Sequence, residues 1–343
     1  MLETETALDR LTTYFAHRLA PRAGVRARSL TRMSEGFSQE TFRVEVEWRD
    51  ADREQTATYV IRRQPAAGLL EPYDTEPEFR VLAALATSAV RAPRVYWYER
   101  DAAIFERPFY VMELVRGSVP LPVIVDGKPV FDDAERARLG EDFVANLAAL
   151  HAVDWRAAGL DFLGVPEPGA GPAARELARW EGYIARAGGP PRPILTEAVL
   201  WLRRALPRAD AVRLVHGDYR TGNFLVEGGR IAAILDWEMV HLGDPMEDLG
   251  WACMALWRGE SPYMCHLLER ERLYARYQEL SGRRVDPERV RFYEVLATVK
   301  MAAIMLTGLR AFRDGRSGDL RMALFDHQWA YMAVAIAQAR GFL

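Results

Sequence analysis

The sequence predicts an α+β protein in two lobes: an N-terminal five-stranded antiparallel sheet with a helix, and a larger, mainly helical second part. Most strand-like alternation of apolar and polar residues lies in the first third of the chain, whereas apolar residues at helical spacing dominate the remainder. A chain of 343 residues is also longer than chains that usually fold around one hydrophobic core. We place the boundary after residue 115, which gives lobes of 1–115 and 116–343.

The composition, 50% hydrophobic and 27% charged, is that of an ordinary globular protein. A net charge of −3 argues against a general nucleic-acid binder, because such proteins usually carry a basic excess. Residues 1–6 are acidic where a signal peptide would be basic, and the two cysteines form no C-x-x-C pair. The longest apolar stretch, residues 295–309, is interrupted by Lys300 and is too short to cross a bilayer. We therefore expect a cytoplasmic protein without a membrane partner.

The first lobe begins with an amphipathic helix over residues 7–20, which ends at Pro21. A turn-rich segment, residues 33–41, precedes a half-exposed strand over residues 42–48. Strand, loop and strand is an arrangement that can cover phosphates. An ordinary hairpin loop explains the segment equally well, because it contains one glycine rather than a glycine-rich repeat.

The next strand, residues 56–63, places Val60 and Arg62 on one face, because side chains alternate along a strand. A helix over residues 76–85 follows and begins with acidic residues. Glu78 is the expected partner of Arg62. The alternatives are a solvent-facing arginine at a strand end and an acid that only complements the helix dipole.

Two further strand-like runs, residues 94–98 and 109–115, complete the predicted sheet. A strand that leaves a sheet has free backbone amide and carbonyl groups, which can pair with an adenine edge. Glu113, Leu114 and Val115 are therefore hinge candidates through their backbones.

The second lobe is predicted to be mostly helical. The expected helices cover residues 135–151, 174–187, 195–205, 267–280, 288–312 and 320–339. His151 at the end of the first of these is predicted to be structural. Arginines outnumber acids between residues 154 and 213, and solvated helix faces are the default explanation of that surplus.

The most informative stretch is residues 214–238. An apolar run leads into His216, Asp218 and Asn223, and a strand-like run then ends on Asp236. An aspartate two residues after the histidine, and an asparagine five after that aspartate, are the intervals of the protein-kinase catalytic loop. In that chemistry one carboxylate faces the attacking hydroxyl, while an amide oxygen and a second carboxylate hold the magnesium ions that bridge the ATP phosphates. The spacing therefore indicates phosphoryl transfer.

With these residues in place, the chain resembles the aminoglycoside phosphotransferase and choline kinase family, the small-molecule branch of the protein-kinase-like fold. The resemblance runs from about residue 30 to 251 and is strongest at residues 216–223 and 235–238. Arginine in the third strand and Gly-Asp-Pro-x-x-Asp-Leu-Gly at residues 243–250 look like the kinase domains associated with acyl-CoA dehydrogenases.

The resemblance implies an ATP- and Mg²⁺-dependent kinase that acts on a hydroxyl of a small molecule. Asp218 would accept the proton of the hydroxyl or orient it. Asn223 and Asp236 would bind magnesium, and Arg62 paired with Glu78 would hold the phosphates. Because the family normally has lysine at the Arg62 position, nucleotide use is expected to differ in detail.

The phosphate loop lacks three glycines, so the resemblance also implies that a hydroxyl such as that of Ser38 adds a phosphate contact. His216 and Asp248 are expected to support the catalytic loop. The arginine surplus favours an anionic acceptor such as a hydroxyacyl-CoA, whereas an aminoglycoside would require an acidic cleft. A nucleotide-binding pseudokinase with a regulatory role is the alternative function, and the sequence specifies no oligomeric state.

Overall fold

The computed structural model describes residues 4–33, 40–50, 53–120 and 131–343. Contacts divide the chain into two compact units. The first comprises Met1–Ala83 and Pro93–Val115, and the second comprises Ala84–Ala92 and Arg116–Leu343. The short segment Ala84–Ala92 groups with the second unit, which a single boundary after residue 115 does not anticipate.

The first unit is a sheet with helices, as predicted. Its elements are α1 (Thr4–Arg18), β1 (Ala23–Arg32), β2 (Glu40–Asp50), β3 (Arg53–Arg63), α2 (Glu76–Leu85), β4 (Val95–Glu99), α3 (Ala102–Phe105) and β5 (Phe109–Glu113). The five strands pair antiparallel in the order β1-β2-β3-β5-β4, which confirms the predicted sheet. β1 begins at Ala23, in a segment for which no strand was predicted.

The core of this unit lies between α1 and one face of the sheet. Phe15 of α1 is fully buried, and its ring stacks on Tyr59 of β3 at 5.3 Å between centroids. Ile61, two residues further along β3, belongs to the same core. Because side chains alternate along a strand, Arg62 projects from the opposite face. That alternation separates the structural face of β3 from the face that carries the candidate functional side chain.

The second unit is mainly helical, with short strand pairs. Its elements are α4 (Asp133–Ala152), α5 (Gly171–Ala187), α6 (Pro193–Arg204), β6 (Arg213–Val215), β7 (Phe224–Glu227), β8 (Arg230–Ile234), β9 (His241–Gly243), α7 (Met246–Cys253), β10 (Tyr263–Met264), β11 (Leu268–Glu269), α8 (Arg270–Ser281), α9 (Pro287–Arg313), α10 (Leu320–Ala323) and α11 (Phe325–Arg340). The helix predicted over residues 320–339 is divided at Leu324 into α10 and α11.

The central helix of the second unit is α9, which packs against α5, α6, α7 and α11. Its 27 residues are, by length and composition alone, enough to cross a membrane. However, 83% of its most apolar window is buried inside the protein, so α9 is a core helix. α7 approaches α9 closely at Gly250, where a Cβ atom would lie 2.5 Å from the Cβ atom of Tyr293. The glycine therefore allows α7 to pack closely against α9.

Candidate active site

The catalytic loop connects two short strand pairs of the second unit. β6 pairs with β9, and the loop leaves β6 at Val215 and leads into β7, which forms a hairpin with β8. At the end of that hairpin the Leu235 N–H donates to the Asn223 carbonyl at 2.7 Å. The hairpin therefore returns the chain to the loop, and Asp236 follows directly.

His216 connects the catalytic loop to the end of the β7–β8 hairpin. Its Nε2 donates to the Leu235 carbonyl at 2.9 Å, while its Nδ1 accepts from the Asp218 N–H at 3.1 Å. The ring is fully buried and packs against Trp237, with 4.6 Å between centroids. Since both ring nitrogens are used, one side chain fixes the position of Asp218 relative to the residue that precedes Asp236.

Asp248 of α7 holds the backbone of the same loop, as expected. Its carboxylate accepts from the N–H groups of His216 at 2.9 Å and Gly217 at 2.8 Å. His151, which is buried at the end of α4, contacts Asp248 at 3.1 Å through Nε2. Burial alone would raise the pKa of Asp248, but the hydrogen bonds from the His151 ring and from the His216 N–H outweigh it and hold the pKa below its ordinary value. Asp248 is therefore an ionised anchor.

Two backbone positions in the site have unusual conformations. Gly217 has φ 85°, and a Cβ atom there would lie 2.7 Å from the Met239 carbonyl oxygen, so the loop requires glycine. Asp236 has φ 67° and ψ 58°, a left-handed conformation that costs free energy in a residue other than glycine. Strained residues of this kind are concentrated at functional sites.

Asn223 is oriented by a hydrogen bond within the loop. Its Nδ2 donates to the Asp218 carbonyl oxygen at 2.9 Å, and the residue is buried. Because the amide nitrogen is used in this way, the amide oxygen is the atom that remains to serve as a ligand. The structure thus brings the predicted residues together. Asn223 bonds directly to Asp218, and Asp236 follows Leu235, whose carbonyl is bonded to His216.

Two further side chains hold the Asp218 carboxylate, and neither was predicted. Arg220 Nε and Trp251 Nε1 donate to Asp218 Oδ1 at 2.9 and 2.6 Å. The sequence places a basic residue, Arg220, two positions after Asp218, and this proximity could have indicated a contact between the two side chains. Trp251 follows Asp248 by three residues, which places both on one face of α7, so helical periodicity pointed to it as well.

In the first unit, Arg62 and Glu78 lie as an ion pair. Arg62 Nη2 is 3.5 Å from Glu78 Oε1, and the two side chains are 12% and 3% exposed. The expected contact between β3 and α2 is therefore present. The neighbouring Arg63 points to the other face, where it pairs with Glu40 and Glu106. The assignment of Arg62 to nucleotide phosphates stays a prediction.

The assignment of Glu113, Leu114 and Val115 to the hinge stays a prediction. β5 ends at Glu113, and Leu114 and Val115 follow it. The Glu113 N–H donates to the Arg94 carbonyl at 2.9 Å, so a contact between Glu113 and an adenine edge would use its carbonyl. Ser38 lies outside the described residues.

The fold and the catalytic-loop geometry define a kinase-like phosphotransferase. The chain belongs to the phosphotransferase enzyme family, whose model matches residues 29–293.

Relatives and solved structures agree with this assignment. The chain is 31% identical to acyl-CoA dehydrogenase family member 10 of Mus musculus over 66% of its length, and 33% identical to family member 11 of Rattus norvegicus over 56%. These matches span only 20% and 24% of the two relatives. A crystal structure from Ralstonia eutropha, provisionally described as an aminoglycoside phosphotransferase, superposes with a TM-score of 0.74 at 26% identity and covers 96% of this chain and 97% of that one.

Proposed function

We propose that this protein transfers the γ-phosphoryl group of ATP to a hydroxyl group of a small molecule. The observation that carries the proposal is the bonding of the catalytic loop. His216 links the Asp218 amide to the carbonyl that precedes Asp236, and Asn223 is bonded to Asp218. Phosphoryl transfer depends mainly on positioning and charge stabilisation, and this loop supplies both.

The residues around Asp218 fit a magnesium ion. Mg²⁺ prefers hard oxygen ligands, and the site offers the Asn223 amide oxygen and the Asp236 carboxylate. The strained backbone of Asp236 supports the same assignment, since a residue with no ligand role has little reason to keep that conformation. Bound there, Mg²⁺ would neutralise charge on the ATP phosphates.

The protein's own residues have separate tasks in this proposal. Asp218 orients the acceptor hydroxyl and takes its proton as the bond to phosphorus forms. Arg62, kept in place by Glu78, supplies positive charge for the nucleotide phosphates. Asp248 keeps the loop backbone rigid by accepting two of its N–H groups.

For the acceptor, we propose an anionic alcohol, with hydroxyacyl-CoA as the first class to examine. The arginine surplus supports this less than the sequence suggested, because several arginines have partners within the unit: Arg175 with the Leu163 and Gly164 carbonyls, Arg179 with Glu176, Arg192 with Asp326, and Arg203 with Glu181. Arg220 also has a partner, since its Nε donates to Asp218, but its side chain lies at the site and is 27% exposed. The names of the acyl-CoA dehydrogenase relatives point to the same chemistry.

An acceptor panel tests the proposal. Aminoglycosides, choline-like alcohols and hydroxyacyl-CoAs are each incubated with ATP and Mg²⁺, and ADP release and phosphorylated product are measured for the wild type and Asp218→Ala. We expect one acceptor class to give product that depends on Asp218. Nucleotide binding without product for any acceptor, together with no effect of Asp218→Ala, would instead support the pseudokinase.

A further inference from the structure

Among the described residues, the side chains that bond the Asp218 carboxylate do so at one oxygen, Oδ1. Trp251 Nε1 donates to Oδ1 at 2.6 Å, and Arg220 Nε donates to the same oxygen at 2.9 Å. Two donors on Oδ1 leave Oδ2 as the oxygen that can accept from another group. A carboxylate fixed in this manner cannot rotate to exchange its two oxygens without losing both bonds.

One face of α7 supplies both the backbone anchor and the side-chain anchor of the loop. Asp248 accepts from the N–H groups of His216 and Gly217, and Trp251, one helical turn later, donates to Asp218. Residues three apart lie on the same side of a helix, so one face of α7 carries all three hydrogen bonds to the loop.

Trp251 itself is held by a buried charge on the neighbouring helix. Its side chain is almost fully buried, and Lys300 Nζ of α9 lies 5.3 Å from the centre of its ring and 5.3 Å from that of Trp180. The ammonium is also 2.5 Å from Glu247 Oε1. A cation close to an aromatic face is attracted to it, most strongly where water is excluded. The ammonium therefore helps to hold the Trp251 ring in place.

We propose that Trp251 is a positioning residue for catalysis, an inference that rests on the proposed function. Its indole N–H fixes Oδ1 of Asp218, so that Oδ2 faces the acceptor hydroxyl. In the transfer, the acceptor oxygen forms the new bond to the γ-phosphorus and the bond to the β–γ bridging oxygen breaks. ADP leaves, and the hydroxyl proton passes to Oδ2.

The first test is Trp251→Phe, with Trp155→Phe as the matched control. Trp155 is equally buried and its Nε1 donates to a backbone carbonyl, that of Val212, at 3.1 Å. Misplacing a catalytic group by about 1 Å costs about 10²-fold in rate. We therefore expect kcat to fall about 10- to 100-fold in Trp251→Phe, with the KM for ATP within about twofold of wild type. The control should keep kcat within about twofold while losing a similar amount of thermal stability.

The second test observes the bond in the full-length protein and does not need Trp251→Phe to fold. With the nine tryptophans labelled at the indole nitrogen, the Trp251 N–H resonance should move upfield when Asp218 is replaced in Asp218→Asn. The Trp155 resonance should stay in place. An unmoved Trp251 resonance overturns the proposal.

Activity separates this inference from the proposed function. If Asp218→Ala abolishes transfer and Trp251→Phe retains wild-type kcat, Trp251 does not position Asp218 and only the inference fails. Equal losses of kcat in Trp251→Phe and Trp155→Phe overturn it as well, because a general loss of packing then explains both. If Asp218→Ala keeps transferring phosphate, the proposed function itself fails.

Discussion

Lys300→Met probes the buried ion cluster that supports α7. Glu176, His241 and Glu247 place their ligand atoms within 4.8 Å of one another, a spacing that a metal ion would accept. The Lys300 ammonium, however, lies 2.5 Å from Glu247 Oε1 and 3.5 Å from Glu176 Oε2. The lysine therefore supplies positive charge to both glutamates of this cluster, and methionine removes that charge while it keeps most of the side-chain volume.

The loss of stability in Lys300→Met depends on which partners Glu247 and Glu176 keep. Removing one member of a buried ion pair costs about 3–5 kcal/mol, because the other charge stays buried. Here Glu247 keeps His241 at 3.2 Å and Glu176 keeps Arg179 at 3.5 Å. Burial alone would raise the pKa of Glu176, yet His241, Arg179 and Lys300 outweigh it and lower that pKa. Because each carboxylate keeps one partner, we expect the lower end of the range, about 3 kcal/mol.

Urea unfolding followed by tryptophan fluorescence measures this loss. Arg310→Met on the same helix is the control, since its ion pair with Asp314 is 51% and 35% exposed and solvent-exposed pairs contribute little to stability. In the double variant Lys300→Met/Glu247→Gln, about 1 kcal/mol or more should be recovered. A cost below about 1 kcal/mol for Lys300→Met, or one equal to that of Arg310→Met, would refute the reasoning.

Two further predictions concern pH and nucleotide use. Burial raises the pKa of Asp244 from 3.8 to about 6 despite Arg289 nearby, so the folded protein binds an extra proton between these values and its stability falls as pH rises through them. The free energy of unfolding of the wild type should thus drop by about 2 kcal/mol relative to Asp244→Asn between pH 4 and 7, and a constant difference in urea titrations would contradict this. Arg62→Ala should raise the KM for ATP about 10- to 100-fold and leave the KM for the acceptor unchanged, whereas the exposed Arg43→Ala should alter neither. An unchanged KM for ATP in steady-state assays would remove Arg62 from the site.

The sequence was most informative where spacing along the chain is itself the constraint. His216, Asp218 and Asn223 lie within one loop, so their intervals determine which groups can meet. Arg62 and Glu78 follow from strand alternation and helix order, and the structure places them in contact. The N-terminal sheet was predicted for the same reason, because period-two patterns are local.

The parts that the sequence did not predict depend on distant contacts. Trp251 meets Asp218 across 33 positions, and Lys300 meets Glu247 across 53. An apolar stretch predicted that Lys300 lies in a buried helix, but its partners come from other elements. The bond from the Glu113 N–H to the Arg94 carbonyl, which precedes β4, was not predicted either. Such pairings depend on how the elements pack and not on any one local pattern.

In the proposed reaction, Asp218 is the group that orients and deprotonates the acceptor. The most direct measurement is a single-turnover experiment with γ-³²P-labelled ATP, Mg²⁺ and the acceptor identified by the panel, comparing the wild type with Asp218→Asn. Removing a general base typically costs about 10²–10⁴-fold, so the rate of product formation should fall by that factor while ATP binding is retained. Transfer within about tenfold of wild type by a folded Asp218→Asn variant would contradict the account.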